Sequence, residues 1–140
     1  MSAVRGTPLL ELASALDQIA SGAAERDSEP APRFPDGPIA LLERAGALSW
    51  NAFPGKNRPR AAEELGLVRQ VAAADGSVGR IFDGHLNALE RLAVQAPPEV
   101  RDRELAAAVA GRLRAGVWGG NPVPGEGPAA EIRPTPSGEV

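Results

Sequence analysis

Few residues in this chain of 140 could carry chemistry of their own. It has one histidine, His85, and no cysteine, which excludes a thiolate nucleophile, a disulfide, and a sulfur-ligated or histidine-rich metal site. The simplest interpretation of His85 is a core histidine that hydrogen-bonds a neighbouring backbone group. Gly79 and Gly84 lie in the same segment, where each costs roughly 1 kcal/mol relative to alanine in a helix interior. The usual reason for such glycines is close approach by another backbone or by a ligand.

The composition limits the classes of partner and the cellular compartment that we expect for this chain. The chain carries 15 basic and 18 acidic side chains, a net charge of −3, which gives no overall attraction to nucleic acid or to an anionic membrane. No stretch approaches the ~18 apolar residues of a membrane-spanning helix, and the first eight residues lack the apolar core of a signal peptide. We therefore expect a cytoplasmic protein with no nucleic-acid or membrane partner.

Apolar residues at three- and four-residue spacing, bounded by proline, glycine and capping residues, predict the elements that position His85. The expected helices are five, at about residues 7–23, 36–46, 60–74, 77–93 and 97–116. Ser77 is the predicted cap of the fourth and Gly116 the predicted end of the fifth. Their short connections favour an antiparallel helical bundle, and hence a mainly α fold.

The core of this bundle should consist of Leu, Val and Ile, because aromatic residues are only 4% of the chain. In the third helix we expect Leu65, Val68 and Ala72 to face inward. The aromatic residues should act as isolated anchors: Phe34, Trp50, Phe53, Phe82 and Trp118. An alternative role for Trp50 and Phe53 is to line a ligand channel.

The character of the chain changes at Val117. Residues 117–140 hold five glycines and five prolines and show no helical stripe. AEIRP can form a short strand and TPSGE a turn, but a hairpin needs a second strand to pair its backbone groups. We therefore expect a helical domain at 1–116, followed at 117–140 by the truncated start of a β domain.

Four segments together resemble the acyl-CoA dehydrogenase superfamily. In order and spacing, these are ERAGAL, ADGSVGRIFDGHLNAL, AGVWGGNPVPGEG and AEIRPTPSGEV. The resemblance covers the family's helical N-terminal domain, about residues 9–116, and the beginning of its β middle domain. The fold it implies is an N-terminal helical bundle followed here by an incomplete β segment.

The resemblance implies an FAD-dependent oxidoreductase that dehydrogenates acyl-CoA thioesters at the α,β carbons, usually as a homo-oligomer. The family's segment at the start of the middle domain lies along the flavin, which assigns FAD contacts to Trp118, Gly119, Gly120 and Asn121. The family's carboxylate base lies in a C-terminal bundle that this chain does not contain. No acidic residue here inherits that role, so we expect the chain to be inactive alone.

One departure from the family pattern keeps other functions open. Where the family commonly has L-T-E-P-x-A-G-S-D, this chain has Gly120-Asn121 in place of the Thr-Glu pair. Flavin-dependent monooxygenases similar to dibenzothiophene monooxygenase use the same fold, and His85 and Asn121 would occupy their histidine and asparagine positions. His85 would then be catalytic, hydrogen-bonding the oxygenated flavin. A third alternative is a non-enzymatic helical interaction module.

Overall fold

The computed structural model describes residues 7–31, 33–52 and 61–117, and over these the chain is mainly helical, as predicted. The helices are α1 (Thr7–Ser21), α2 (Ala23–Asp27), α3 (Asp36–Arg44), α4 (Ala61–Ala74), α5 (Gly76–Gln95) and α6 (Pro98–Val109), with a 3₁₀ turn at Ala47–Ser49. None of the helices in this described part is long and apolar enough to cross a membrane. The predicted β segment lies outside the described residues except for Val117.

The first two predicted helices are present with small differences. The first is divided at Gly22 into α1 and the short α2, a segment that the sequence predicted only as the frayed end of one helix. The second matches α3, and Gly46 ends it as predicted, in the left-handed region at φ 73°. A residue with a β-carbon would be strained there, which explains the glycine.

At the turn between α4 and α5, the residue that caps α5 differs from the predicted one. Ser77 lies inside α5, and the cap is Asp75, whose Oδ1 accepts a hydrogen bond from Val78 N–H at 2.9 Å. The reason is that α4 continues to Ala74, so Asp75 alone connects the two helices in an extended conformation. Its carboxylate satisfies one of the free N–H groups that every helix start exposes.

The end of the last helix is also earlier than predicted. α6 ends at Val109, and Gly111, not Gly116, occupies the left-handed position, at φ 67°. The N–H of Arg112 bonds the carbonyl of Ala107 at 2.9 Å, and the N–H of Gly111 bonds that of Ala108 at 3.1 Å. These two bonds form a Schellman motif. The predicted end of the last helix, at Gly116, was therefore wrong by seven residues. Residues 112–117 form a non-helical tail.

Two buried clusters hold the helices together, and α5 belongs to both. The larger cluster joins α5 to α1, α3, the 3₁₀ turn and α4, with Ile19, Leu42, Val71, Val78, Phe82 and Leu86 at its centre. The smaller joins the end of α5 to α6, through Ala52, Leu89, Leu105 and Ala108. Since α5 also carries His85, the candidate residue sits on the best anchored helix of the fold.

Some predicted core positions differ. In α4 the buried residues are Leu67 and Val71. Of the three residues predicted to face inward, Val68 is partly buried against the larger cluster, whereas Leu65 is 61% exposed and Ala72 is exposed. The prediction was therefore wrong at Leu65 and Ala72. α4 carries several small residues on more than one face, and its apolar pattern therefore fixes the inward face poorly.

Among the predicted aromatic anchors that the structure describes, only Phe82 is fully buried. Phe34 is 52% exposed, which contradicts its prediction, and Trp50 packs half-buried against the larger cluster. Phe34 lies in the extended segment before α3, where no helix holds its ring against the core. The predictions for Phe53 and Trp118 concern residues outside the described part of the chain.

The two glycines of α5 have different surroundings. A β-carbon at Gly79 would lie 2.5 Å from Cα of Ala72, so α4 and α5 approach closely there, as predicted. A β-carbon at Gly84 would meet no described atom within 4 Å, so the prediction of close approach by a neighbouring backbone is wrong for Gly84 within the described residues. Packing between helices explains Gly79 and leaves Gly84 unexplained.

We expect Gly79→Ala and Gly84→Ala to change stability in opposite directions. Gly79→Ala must push two helix backbones apart, which costs about 1–3 kcal/mol, whereas Gly84→Ala gains up to about 1 kcal/mol of helix propensity. Melting temperatures of the two variants test this. A Gly79→Ala protein as stable as Gly84→Ala would show that α4 and α5 are not in close contact.

Candidate functional site

A cleft of about 610 Å³ opens between α3, α5 and the tail after α6. This volume falls within the usual range for small-molecule sites. Its wall includes apolar side chains from each neighbouring element, among them Ile39 of α3, Leu48 of the 3₁₀ turn and Phe82 of α5. Phe34 and Val117, both partly exposed, also line it. The cleft is therefore an apolar recess that the tail borders on one side.

His85 lies in the wall of this cleft and is only 3% exposed. Its Nε2 lies 2.8 Å from the carbonyl oxygen of Leu48, and its Nδ1 lies 3.1 Å from the backbone nitrogen of Ala115. An amide nitrogen can only donate and a carbonyl can only accept, so both bonds form when Nε2 carries the proton and Nδ1 does not. The imidazole thus links three elements: α5, the 3₁₀ turn and the tail.

This geometry is the structural role that the sequence offered as the simplest interpretation of His85. A catalytic role remains a prediction, and it would require one of the two backbone hydrogen bonds to open. The other predicted site residues are Trp118, Gly119, Gly120 and Asn121, and they lie outside the described residues. Ala115, which His85 contacts, comes three positions before Trp118 in the sequence.

The tail is also fixed by Arg114. Its guanidinium lies 3.4 Å from Oδ1 of Asp36 and 3.2 Å from Oε2 of Glu43, both on α3. All three side chains retain contact with solvent, so each pair contributes little stability alone. Together with the His85 bond they hold the tail along the cleft.

Three arginines line the cleft, although acidic residues outnumber basic ones in the chain as a whole. They are Arg80, Arg91 and Arg114, and no carboxylate of the described residues lines the cleft. Arg80 pairs with Asp83 at 3.2 Å, and Arg114 pairs with α3, whereas Arg91 has no ion-pair partner among the described residues. Sequence reasoning missed these arginines; the spacing of Arg80 and Arg91 along α5 was the available signal, but it resembled an ordinary solvated face.

Two further polar groups were not predicted from the sequence. Asn51 is fully buried, and its Nδ2 donates to the carbonyl of Leu86 at 2.9 Å and to Oε2 of Glu64 at 3.3 Å. Oδ1 of Asn51 and Nε1 of Trp50 are buried and have no hydrogen-bond partner in the described part of the chain. Neither residue lines the cleft, so these atoms do not belong to the candidate site. Within the described residues no group of His, Asp or Glu side chains could hold a metal ion.

Replacing His85 should loosen the tail before it affects the helices. His85→Phe leaves the Leu48 carbonyl and the Ala115 N–H without their partner, which costs about 1–2 kcal/mol. His85→Asn retains an acceptor near the Nδ1 position and should lose less. Amide hydrogen exchange at Ala115 is the measurement: it should accelerate in His85→Phe more than in His85→Asn. Equal exchange rates in both variants and the unmodified chain would show that the imidazole does not hold the tail.

Comparison with known proteins assigns no family to the chain. No family model, no curated protein and no solved structure matches it. Its function must therefore be argued from the cleft and from the residues that carry the sequence resemblance.

Proposed function

We propose that this chain is the helical N-terminal portion of an FAD-dependent oxidoreductase similar to the acyl-CoA dehydrogenases, and that its cleft borders the flavin site. In this proposal Trp118, Gly119, Gly120 and Asn121 contact the flavin, and an acyl-CoA thioester is the substrate of the complete enzyme. A homo-oligomer is the expected assembly of that enzyme.

The observation that supports the proposal most is the hydrogen bond from Ala115 to His85. The sequence resemblance assigns flavin contact to the segment that begins at Trp118, and this bond fixes the chain three residues earlier in the wall of a ligand-sized cleft. The predicted flavin contacts begin three residues further along the sequence, which is what connects the cleft to the proposal. The mainly helical fold of the described residues agrees with the proposed domain.

The described residues fit one side of an FAD site. The arginines of the cleft suit the phosphates of the cofactor, because guanidinium groups bind phosphate oxygens through charge-assisted hydrogen bonds. The apolar wall at Ile39 and Phe82 suits a planar ring system. Bound FAD would supply the acceptor for the hydride removed from the thioester. His85 positions the tail, and no carboxylate of this chain serves as the base.

FAD titration tests the proposal. We expect saturable binding, seen as induced circular dichroism in the flavin absorption bands, because a chiral protein wall must contact the ring. His85→Phe should weaken this signal, since the tail that carries the flavin contacts is then less ordered. An unchanged flavin spectrum at millimolar FAD would contradict the proposal and favour a non-enzymatic interaction module.

The same preparation should show no turnover. A panel of acyl-CoA thioesters, with FAD and a dye acceptor, should give no α,β-dehydrogenation, because no acidic residue here takes the role of the catalytic base. The control is a complete acyl-CoA dehydrogenase under the same conditions. Turnover by the pure chain that disappears in a Glu or Asp variant would identify a base within it and overturn this expectation.

A further inference from the structure

The hydrogen bond between His85 and the tail depends on the protonation of the ring. Nε2 donates to the carbonyl of Leu48 at 2.8 Å, and Nδ1 accepts from the N–H of Ala115 at 3.1 Å. An imidazolium has two N–H donors and no acceptor, so the second bond exists only while Nδ1 carries no proton. A proton on Nδ1 would point at the N–H of Ala115, donor against donor, and the tail could not keep its position.

The surroundings of the ring offer no substitute acceptor on α5. One turn before and one turn after His85 this helix carries only apolar side chains, which are Ile81, Phe82, Ala88 and Leu89. The histidine is 3% exposed, so water has little access to it while the tail is in place. A buried N–H without a partner is costly. Protonation of the ring therefore requires the tail to move away from it.

The charged side chains of the neighbouring elements are paired elsewhere or are cations. In the described part of the chain they are Arg80, Asp83 and Arg91 on α5, Arg114 on the tail, Asp36 and Glu43 on α3, and Glu64 on α4. The 3₁₀ turn has no titratable side chain, and among the described residues no charged side chain of α6 lines the cleft. Carboxyl and guanidinium groups ordinarily titrate outside the range of about pH 5 to pH 8, in which histidine does.

We propose that His85 is a pH-dependent switch for the tail. As a neutral imidazole it holds residues 115–117 along the wall of the cleft, and when it takes up a proton from solvent it releases them and opens that side of the cleft. The released state binds the proton more readily, because Nδ1 is then free, so acid favours release and a higher pH favours the closed state. This goes beyond the proposed function, since it requires neither flavin nor thioester.

A nuclear magnetic resonance titration of the whole ¹⁵N-labelled chain, from about pH 8 to about pH 5, tests the switch. The chain has one histidine, so the ring nitrogen signals belong to His85. We expect the Nδ1 signal and the backbone amides of Ala115 and Val117 to change with a common midpoint. The amide of Gln18, in the separate groove between α1 and α3, should not follow that midpoint.

His85→Asn is the variant that separates the proton from the hydrogen bond. The asparagine amide keeps an acceptor near the Nδ1 position but does not titrate. The amide shifts of Ala115 and Val117 should therefore not change over the same pH range. If the variant instead loses the tail contact, these amides should lie at their released positions at every pH, which again removes the titration.

Arg114→Gln tests the coupling between the tail and the switch. It removes the two bonds from the tail to α3 and also a cation near the ring, and both changes favour release. The midpoint should rise by up to about half a pH unit, since exposed ion pairs are weak. Arg112→Gln is the matched control, because Arg112 is an exposed arginine of the same tail that does not line the cleft. It should keep the midpoint of the unmodified chain.

Three results would overturn the inference. The first is a His85 ring that titrates while the amide of Ala115 stays unchanged. The second is a titration of the tail amides that persists in His85→Asn, and the third is the absence of any change in ring and tail over the whole range. All these measurements are made without FAD, so their outcome is independent of the flavin titration.

Discussion

Phe82→Ala should lower the free energy of unfolding by about 3–5 kcal/mol, the range for removing a buried aromatic side chain. Phe82 is fully buried at the centre of α5, in the cluster that joins α5 to four other elements. The other buried residues of that cluster are aliphatic, and most are held in place by their own helices. Much of the removed volume should therefore remain as a cavity.

Phe34→Ala is the matched control, because it deletes the same ring from a half-exposed position. Its effect should stay at or below about 1 kcal/mol, since little apolar area returns to water. Urea unfolding of both variants measures the difference. Similar losses for the two substitutions would mean that α5 is not the centre of the core.

The second large effect is expected at the ion pair between Arg26 of α2 and Asp75. The carboxylate of Asp75 is 3% exposed and the guanidinium of Arg26 is 26% exposed, with Nη2 to Oδ2 at 2.8 Å. Arg26 also donates to the carbonyl of Ile19 at 2.5 Å, which ties α1 to the α4–α5 turn. Arg26→Met should cost about 2–3 kcal/mol, below the 3–5 kcal/mol of a fully buried pair because solvent reaches the arginine.

Arg33→Met is a suitable control for that substitution. Arg33 pairs with Glu29 at 3.1 Å but is 81% exposed, so its loss should be small. The difference in unfolding free energy between the two methionine variants gives the contribution that burial makes to the ion pair. If Arg26→Met were as mild as Arg33→Met, the turn would not depend on the pair.

The ion pair between Arg26 and Asp75 also predicts that the protein loses stability at low pH. Burial raises the pKa of Asp75, but the hydrogen bond from Val78 N–H and the hydrogen bond and charge of Arg26 outweigh it and hold that pKa below its ordinary value of 3.8. A carboxyl with a depressed folded-state pKa stabilises the fold at pH values above the unfolded pKa, and this contribution is lost as pH falls through the folded pKa. Stability should therefore decline from about pH 4 downward.

Asp75→Asn is the control for pH, because asparagine still caps a helix but does not ionise. Its acid decline should be shallower than that of the unmodified chain, measured as unfolding free energy between pH 2 and pH 6, a range chosen to span the ordinary carboxyl pKa of about 4. Equal slopes in the two proteins would show that other carboxylates cause the acid sensitivity.

The sequence predicted the main helices because α1, α3 and α5 each carry a regular apolar stripe with clear boundaries. The sequence did not predict the correct helix boundary where two nearby residues could both cap or end the helix. Asp75 and Ser77 can both cap a helix, and Gly111 and Gly116 can both end one; tertiary packing decides between them. The prediction of the inward face of α4 was wrong at Leu65 and Ala72, because the small apolar residues of this helix do not define a single stripe.

The candidate site was predictable only in part. The sequence identified His85 and its simplest role, yet Leu48 and Ala115 lie 37 and 30 residues away, and no local pattern indicates such partners. The link between Arg26 and Asp75 spans 49 residues and was missed for the same reason. The arginines of the cleft become a feature only when α3 and the tail are placed beside α5. The FAD contacts at Trp118–Asn121 remain a prediction.

The central claim is that the cleft between α3, α5 and the tail borders an FAD site. A nuclear magnetic resonance titration of the labelled chain with FAD tests it most directly, by reporting which backbone amides shift. The proposal predicts saturable shifts at Gly84, Ala115 and Val117, with little change at Gln18 in the separate groove between α1 and α3. Shifts confined to the α1–α3 groove, or no shifts at millimolar FAD, would contradict it.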